Sequence, residues 1–452
     1  MDNLDLDSIK TIYFIGIGGI SMSALAKISL SIGKKVLGSN MENNEEVKKL
    51  KKLGVKVYIT QQYENVTKDI DLVVFTGAIK EDNPEYIRAK ELGLKMLERS
   101  QFLGEICKLY KNVIAIAGTH GKTTTTALIG EIFIKAKVNP TIHLGGEANF
   151  GNVLIGDRDY FITEACEYRE SFKYIEGETF LITNIEADHL DYYKSLSQIK
   201  TAFNNFANNS NRFVVTFGNL NLNLKKEVNE YTCGFDPLCD FYAYNIQPLD
   251  LGYTFDVSFE DTLIGRFTTK LIGIHNLKNV LCAIAVSYLN NISISAITQG
   301  VYEFKGVKRR YEVIGHIGKV PVVADYAHHP SEIKNSIDGF KNKKILCIFQ
   351  PHTYSRTKTL LKEFTRAFLG AKSVIFYKTY PAREKLDITA TESVLFKKCK
   401  NKLKKVFVDE NELILNIKKE AEGFDVVLIL GAGDIYDIAK KRLFKKAWKC
   451  CG

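Results

Sequence analysis

The residues best suited to chemistry lie in the stretch 113–126, where a β-branched run is followed by Gly-Thr-His-Gly and then by Lys-Thr-Thr-Thr-Thr. In such a strand, turn and helix start, the backbone N–H groups of residues 118–121 can surround a phosphate, and the helix dipole favours the anion. Lys122 supplies a cation, and the Thr123 hydroxyl can ligate Mg²⁺. Ile116 stands where the longer phosphate-loop pattern has its first glycine. The predicted ligand is a nucleoside triphosphate.

Two predicted strands further along, residues 160–163 and 180–184, end next to acidic and histidine side chains. Because the carboxyl ends of parallel strands converge on one crevice, Glu164 and His189 are expected to reach the bound triphosphate. A carboxylate and an imidazole there can hold Mg²⁺ ions that bridge phosphate oxygens. A purely structural role for the histidine is the alternative.

A glycine turn also follows the first predicted strand, residues 11–15. Gly16-x-Gly18 permits a pyrophosphate to approach a helix N-terminus. However, Ser21 replaces the third glycine of the dinucleotide pattern, and residues 38–40 offer no acid for a ribose. A nucleotide-sugar diphosphate fits as well as a dinucleotide, and a turn that serves packing alone is the third possibility.

Two further groups of polar residues stand out. Asn276 and Asn279 lie three apart on a predicted helix, where their amides can read a purine edge, although N-capping by Asn276 is an equal explanation. In the last third of the chain, the loops after two predicted strands carry imidazole and guanidinium groups: His328, His329, His352 and Arg356. At one edge of a sheet these groups favour a carboxylate-binding surface.

Composition limits the classes of protein to be considered. A chain of 452 residues predicts two or three domains. The net charge of +10 is scattered rather than concentrated, which disfavours nucleic-acid binding. The nine cysteines show no regular spacing, the first ten residues do not resemble a signal peptide, and no apolar run has membrane-spanning length. We therefore expect a cytoplasmic protein without membrane insertion.

Short β-branched runs alternate with amphipathic stretches, which predicts α/β units with mostly parallel sheets. Residues 211–267 are turn-rich and predict an antiparallel edge or excursion. The last unit is expected to begin with a strand at 322–325 and to contain a helix at 359–368.

Taken together, the chain resembles the Mur ligase family of peptidoglycan synthesis nearly end to end. The matching strings are residues 16–26, 118–124, 164–169, 183–189, 275–279, 310, 325–330 and 350–356. The phosphate loop and His-Asn-x-x-Asn are shared across that family. The first glycine turn, Glu-Ala-Cys-Glu-Tyr-Arg and Gln-Pro-His point to the branch that adds L-alanine.

The resemblance implies a Rossmann-like UDP-sugar domain (1–107), a central ATP-binding domain (108–314) and a Rossmann-like amino-acid domain (315–452). It assigns ATP contacts to Gly118, Thr119, His120, Gly121, Lys122, Thr123, Thr124, Asn276, Asn279, Arg310 and Asp325. Catalysis falls to Lys122, Glu164 and His189, and magnesium to Thr123, Glu164 and His189. The UDP-sugar contacts are Gly16, Gly18, Gly19 and Ser39, and the amino-acid contacts are Tyr326, His328, His352 and Arg356.

The implied reaction joins L-alanine to the lactoyl carboxylate of UDP-N-acetylmuramate through an acyl phosphate, with ATP and Mg²⁺ as cofactors and with domain closure to exclude water. A monomer or homodimer is expected. Two positions depart from the family pattern: Thr353 stands where some relatives carry a second arginine, and Asn40 replaces an aspartate of the uridine site.

Three other interpretations stay open. A sister ligase that recycles a tripeptide onto the same nucleotide sugar shares the first two domains. A nucleotide-dependent oxidoreductase is disfavoured by Asn40 and by the second phosphate loop. A non-catalytic ATP-binding regulator is disfavoured by the intact Lys122, Glu164 and His189.

Overall fold

The computed structural model describes residues 4–187, 192–249, 252–382 and 384–444. The chain divides into two compact units. Unit 1 comprises Met1–Lys270 with His275–Phe304, and unit 2 comprises Leu271–Ile274 with Lys305–Gly452. Unit 1 holds two sheets and unit 2 holds one. In the described ranges no helix is long and apolar enough to cross a membrane.

The first sheet of unit 1 is parallel and five-stranded, in the order β3-β2-β1-β4-β5. Its strands are β1 Thr11–Ile15, β2 Lys35–Ser39, β3 Lys56–Tyr58, β4 Leu72–Phe75 and β5 Lys95–Glu98. Its helices are α1 Ile20–Ser31, α2 Glu45–Lys52, α3 Pro84–Glu91 and α4 Arg99–Cys107. Strand β1 is fully buried and, after Thr11, consists of apolar and aromatic residues, because helices cover both faces of such a sheet.

The second sheet of unit 1 has ten strands, in the order β15-β14-β13-β12-β11-β10-β6-β9-β7-β8. Its strands are β6 Asn112–Ala117, β7 Thr141–Ala148, β8 Gly151–Leu154, β9 Tyr160–Glu164, β10 Gly177–Ile182, β11 Ser210–Phe217, β12 Asn229–Gly234, β13 Phe241–Pro248, β14 Tyr253–Phe259 and β15 Thr262–Thr269. Its helices are α5 Lys122–Lys135, α6 Leu196–Ala207, α7 Ile274–Leu289 and α8 Ile294–Glu303.

Strand β6 is flanked by β10 on one side and β9 on the other, all parallel. Later strands of the chain thus lie on both sides of β6. The carboxyl end of β6 is therefore a topological switch point, which is where α/β sheets bind ligands. The predicted antiparallel edge is confirmed for β13, β14 and β15, whereas β11 and β12 pair in parallel.

Unit 2 contains a six-stranded sheet, in the order β16-β17-β21-β18-β19-β20, that is parallel except for the pair β16 and β17. Its strands are β16 Glu312–Ile317, β17 Val320–Asp325, β18 Ile345–Phe349, β19 Ser373–Tyr377, β20 Lys404–Phe407 and β21 Val426–Leu430. Its helices are α9 Pro330–Asp338, α10 Tyr354–Thr359, α11 Leu361–Ala367, α12 Glu392–Lys398, α13 Glu410–Glu420 and α14 Ile435–Arg442.

Two expectations for this last unit were wrong in detail. The strand expected first, at 322–325, is preceded by β16. Strand β16 lies at the edge of the sheet, and its side chains are half-buried or exposed. The helix expected at 359–368 is α11, which starts two residues later, because Leu360, at φ −105° and ψ 21°, separates it from the preceding short helix α10. The predicted border at residue 314 falls inside β16, and the domain borders stay predictions.

A buried histidine links strand β7 of the second sheet of unit 1 to helix α1, which follows the first strand of the first sheet. His143 on β7 contacts the Ser21 hydroxyl through Nε2 at 2.9 Å and the Thr163 hydroxyl through Nδ1 at 2.9 Å. Ser21 is the residue that replaces the third glycine of the dinucleotide pattern. Its hydroxyl forms a hydrogen bond that a glycine at this position could not form. Burial, reinforced by Arg99, lowers the pKa of His143 to about 3. The imidazole is therefore neutral at neutral pH.

This depressed pKa predicts loss of stability in acid. In the unfolded chain this histidine is protonated below about pH 6.5, whereas in the folded chain it is protonated only below about pH 3. The free energy of unfolding therefore decreases as the pH falls from 6.5 toward 3. Because of this histidine, the free energy of unfolding should be about 2 kcal/mol lower at pH 5 than at pH 7. Urea unfolding followed by circular dichroism should show a weaker pH dependence for His143→Asn than for wild type. His316→Asn, at an exposed position, controls for replacing a histidine; equal pH dependence in all three proteins would contradict the assignment.

Candidate functional site

The phosphate loop joins β6 to α5 and has a backbone that only glycine adopts readily. Gly118 lies at φ +137° and Gly121 at φ +88°. A Cβ at Gly118 would lie 2.0 Å from the Thr183 hydroxyl oxygen, and one at Gly121 would lie 2.4 Å from Asn279 Oδ1. Gly121 caps α5 without a side-chain hydrogen bond. The first amides of the 14-residue helix are thus left for an anion, as the sequence predicted for a phosphate ligand.

Lys122 is a largely buried cation, with 17% of its side chain exposed, and it is held by the loop itself. Its ammonium donates to the Gly118 carbonyl at 2.5 Å and lies 2.8 Å from Glu167 Oε2. Burial opposes the charge, but Glu167 and the neighbouring acids outweigh it and raise the pKa of Lys122. A buried charge is stable only when it is paired in this way. The lysine is therefore charged at neutral pH beside the first amides of α5.

The end of the neighbouring strand β10 fixes the middle of the loop. The His120 amide donates to Asn184 Oδ1 at 3.0 Å, and the Thr119 amide donates to the Asn184 carbonyl at 3.1 Å. The Thr183 hydroxyl donates to the His120 carbonyl at 2.6 Å. These bonds fix the backbone of the loop. Thr124 lies buried in the first turn of α5.

Thr123 and Glu164 come together as the sequence predicted. The Thr123 hydroxyl donates to Glu164 Oε2 at 3.0 Å, and the Gly145 amide donates to Oε1 of the same carboxylate at 2.6 Å. Hydroxyl and carboxylate oxygens are the ligands that Mg²⁺ prefers. In the described part of the chain no group of three or more His, Cys, Asp or Glu side chains could hold a metal by itself. The expected third ligand, His189, lies outside the described residues.

The predicted purine-binding amides, Asn276 and Asn279, are buried in the first turns of α7. Asn279 Nδ2 donates to Asn276 Oδ1 at 3.3 Å, and Asn279 also lies against Gly121. Neighbouring His275 has its pKa lowered to about 4 by burial, with Lys278 and His120 adding to the effect. Asn279 therefore lies against the phosphate loop at Gly121, and the contact of the two amides with a purine stays a prediction.

The glycine turn after β1 is held by the end of β2. The amides of Gly16 and Ile17 both donate to the Ser39 carbonyl at 2.9 Å, and the Gly18 amide donates to Asn40 Oδ1 at 3.2 Å. Gly19 caps α1 without a side-chain hydrogen bond, so that helix start is open as well. Asn40, which replaces an aspartate, thus fastens the turn.

Ser39 lies fully buried beneath this turn. Its hydroxyl donates to Glu85 Oε2 at 2.5 Å, and the hydroxyl of Tyr13 donates to the other oxygen of Glu85 at 2.8 Å. The serine side chain is therefore directed into the protein. Its carbonyl holds the turn, and its predicted contact with a UDP-sugar stays a prediction.

In unit 2, Asp325 ends strand β17 and its carboxylate is fully engaged. Oδ1 accepts from the Ala327 amide at 2.9 Å, and Oδ2 accepts from the Tyr311 amide at 3.0 Å. Burial raises the pKa of Asp325, and Arg310 opposes this rise. The guanidinium of Arg310 lies over the Tyr326 ring, 5.4 Å from its centre. The predicted ATP-binding pair and the predicted amino-acid contact Tyr326 thus form one cluster.

The predicted carboxylate-binding surface also assembles within unit 2. Arg356 donates to His352 Nδ1 at 3.1 Å, and the imidazole of His352 stacks on Tyr380 at 5.6 Å. The ring of His328 lies 5.8 Å from that of His352. Burial lowers the pKa of His352 to about 4 and also lowers the pKa of His328. Two neutral imidazoles and one guanidinium therefore share a single face.

Thr353, which stands where some relatives carry a second arginine, carries backbone strain. It is a β-branched residue at φ +67° and is held by donation of its amide to the Tyr380 carbonyl at 2.9 Å. Such outliers persist only where the surroundings enforce them, and they gather at functional sites. Gln350, two residues before His352, is buried and holds the start of α14 through Ile435 and Asp434.

Several supporting residues were missing from the sequence prediction. Glu167, Asn184 and Gly145 fix the lysine, the loop and the Glu164 carboxylate, respectively. Glu332 accepts from the His328 amide at 3.0 Å. Glu167 lies within residues 164–169, which match the family pattern, but its pairing with Lys122, 45 residues away, is a property of the folded sheet.

Comparison with known proteins matches three family models along the chain. They are the Mur ligase family catalytic domain over residues 11–111, the Mur ligase middle domain over 116–287, and the Mur ligase glutamate ligase domain over 309–433. UDP-N-acetylmuramate–L-alanine ligase of Caldanaerobacter subterraneus subsp. tengcongensis is 41% identical, covering 97% of this chain and 98% of that protein. The protein of the same name from Alkaliphilus metalliredigens is 40% identical, with 98% and 99% covered.

Among solved structures, UDP-N-acetylmuramate-alanine ligase from Thermotoga maritima matches with a TM-score of 0.79 and 30% identity, covering 96% of this chain and 98% of that one. A murein peptide ligase from Psychrobacter arcticus matches with a TM-score of 0.69 at 24% identity, which speaks to the fold alone. The three-part α/β architecture predicted from the sequence is confirmed. This chain belongs to the Mur ligase family.

Proposed function

We propose that this protein joins L-alanine to the lactoyl carboxylate of UDP-N-acetylmuramate, using ATP and releasing ADP and phosphate, in peptidoglycan precursor synthesis. The observation that carries the proposal is the 41% identity, over 97% of this chain, to a protein bearing that ligase name. The likeness includes unit 2, which selects the amino acid in the proposed scheme. A cytoplasmic location follows from substrates of this kind.

ATP fits the phosphate loop because three features converge there. The first amides of α5 lack a side-chain cap, the loop glycines leave room for a close approach, and the charged Lys122 is fixed beside them. In the proposed reaction Lys122 offsets charge on the γ-phosphate as it moves to the lactoyl carboxylate. The resulting acyl phosphate has lost the negative charge that made the carboxylate a poor electrophile.

Magnesium fits the oxygen pair of Thr123 and Glu164, whose oxygens lie 3.0 Å apart. When bound, the ion would neutralise phosphate charge as the phosphoryl group moves. The backbone amide of Gly145 orients the carboxylate for that task. His189 is the proposed further ligand.

For the two other substrates, the open start of α1 after Gly16, Gly18 and Gly19 would receive the diphosphate of the nucleotide sugar. In unit 2, Arg356 would bind the carboxylate of L-alanine as a planar, permanently charged group.

Substrate comparison tests the proposal directly. With UDP-N-acetylmuramate and ATP, ADP release should depend on L-alanine and should be weak with glycine, L-serine or a tripeptide. Preference for the tripeptide would instead identify the sister ligase that recycles peptides. Nucleotide binding without ADP release would identify a regulator.

Removing the loop cation should abolish turnover. Lys122→Ala takes away the charge that offsets the γ-phosphate, and we expect ADP release with all substrates present to fall by at least about 10³-fold. Lys135→Ala, in the last turn of the same helix, is the matched control and should retain activity. Retained turnover in folded Lys122→Ala would reject the assigned role.

Neutralising the metal-binding carboxylate should raise the requirement for magnesium. In Glu164→Gln the side-chain amide can still form hydrogen bonds with the Thr123 hydroxyl and the Gly145 amide, but a charged oxygen ligand is lost. The Mg²⁺ concentration for half-maximal ADP release should therefore rise at least about tenfold. Glu186→Gln alters an exposed carboxylate near His120 at the same sheet edge and is the control. An unchanged Mg²⁺ titration for Glu164→Gln would exclude it as a ligand.

A further inference from the structure

Two neighbouring imidazoles of unit 2 are held in opposite tautomers. Nδ1 of His328 lies 2.9 Å from the Tyr326 carbonyl oxygen. A carbonyl only accepts, so Nδ1 of His328 carries the hydrogen and Nε2 keeps its lone pair. Nδ1 of His352 lies 3.1 Å from a guanidinium nitrogen of Arg356, which only donates. In His352 the lone pair is therefore on Nδ1, and Nε2 carries the hydrogen.

This difference separates the chemistry that the two rings can perform. His352 offers an N–H group and, next to it, the guanidinium of Arg356, so together they suit a carboxylate. His328 offers a basic nitrogen, Nε2, on a side chain that is 20% exposed. The ring centres are 5.8 Å apart. An α-amino acid carries its carboxylate and its amine on one carbon, so a single molecule can meet both rings.

The surroundings of His328 prepare it to take a proton and to release it. Glu332 Oε2, on α9, lies 3.5 Å from Nδ1 of His328, on the side of the ring away from Nε2. A carboxylate in that position steadies an imidazolium once it forms. Arg310 and Arg356 face the ring from other elements and, together with burial, keep it neutral beforehand; the net effect is a lowered pKa. Tyr326 packs edge-on against the ring at 5.3 Å.

We propose that His328 Nε2 is the base that takes the proton from the ammonium group of the incoming amino acid. This inference rests on the proposed ligation. The amino acid arrives as an ammonium ion, and one proton passes to Nε2. The freed lone pair forms the C–N bond to the acyl carbon, and the bond from that carbon to the phosphate oxygen breaks. The second N–H proton leaves with the phosphate, and His328 returns its proton to solvent.

The test separates activation of the carboxylate from use of the amine. Hydroxylamine is largely uncharged at neutral pH and captures an acyl phosphate without needing a base. In His328→Asn the amide nitrogen can still donate to the Tyr326 carbonyl, but the basic nitrogen is gone. We expect hydroxamate formation from UDP-N-acetylmuramate and ATP at the wild-type rate. The kcat for L-alanine ligation at pH 7 should fall about 10²–10⁴-fold.

The pH profile adds a second readout that a structural role would not produce. Raising the pH generates free alanine amine in solution, so the defect of His328→Asn should shrink steadily toward pH 9.5. His316→Asn, at an exposed position on strand β16 of the same unit, is the matched control and should follow wild type.

Three results would overturn the proposal: equal loss of hydroxamate and alanine product, a raised KM for alanine with unchanged kcat, or a defect independent of pH. Failure of the proposed function itself looks different, because wild type would then form no hydroxamate from UDP-N-acetylmuramate.

Discussion

The ion pair between Lys122 and Glu167 is the interaction on which the phosphate site depends. A lysine buried beside backbone amides would be expelled or neutralised without a compensating charge, because the field of the amides is itself positive. Glu167 supplies that charge at 2.8 Å, and the Gly118 carbonyl takes another of the ammonium hydrogens. The pair thereby keeps a cation in place at the start of α5. Breaking such a pair by removing one partner typically costs about 3–5 kcal/mol.

The position of β6 explains why these groups meet. Its two neighbours in the sheet are β9, which ends at Glu164, and β10, which ends just before Thr183 and Asn184. One neighbour thus delivers the carboxylates and the other delivers the groups that fix the loop. The site is a consequence of strand order, since residues 41 and 64 positions apart become adjacent only in the folded sheet.

Unit 2 uses the same principle for different chemistry. Loops after β17 and β18 bring together imidazole and guanidinium groups, and hydrogen bonds with the backbone or with Arg356 decide which nitrogen of each ring is basic. The strained backbone at Thr353 belongs to this arrangement, because its amide is tied to Tyr380 while the ring of the preceding His352 stacks on the same tyrosine. Residue type alone cannot distinguish a proton donor from a proton acceptor in a histidine.

The amino-acid sequence by itself determined the class of fold, the phosphate loop and the strand ends that carry Glu164, Asp325 and His352, because these depend on local periodicity and on glycine geometry. The family followed from the same short strings. Only the tertiary structure decided that Glu167 pairs with Lys122, that Ser39 is directed inward, that Ser21 of α1 binds His143 of β7, and that the two imidazoles differ in tautomer. Each of these is a contact between residues distant in sequence, or a choice between hydrogen-bonding partners, and neither leaves a trace in local composition.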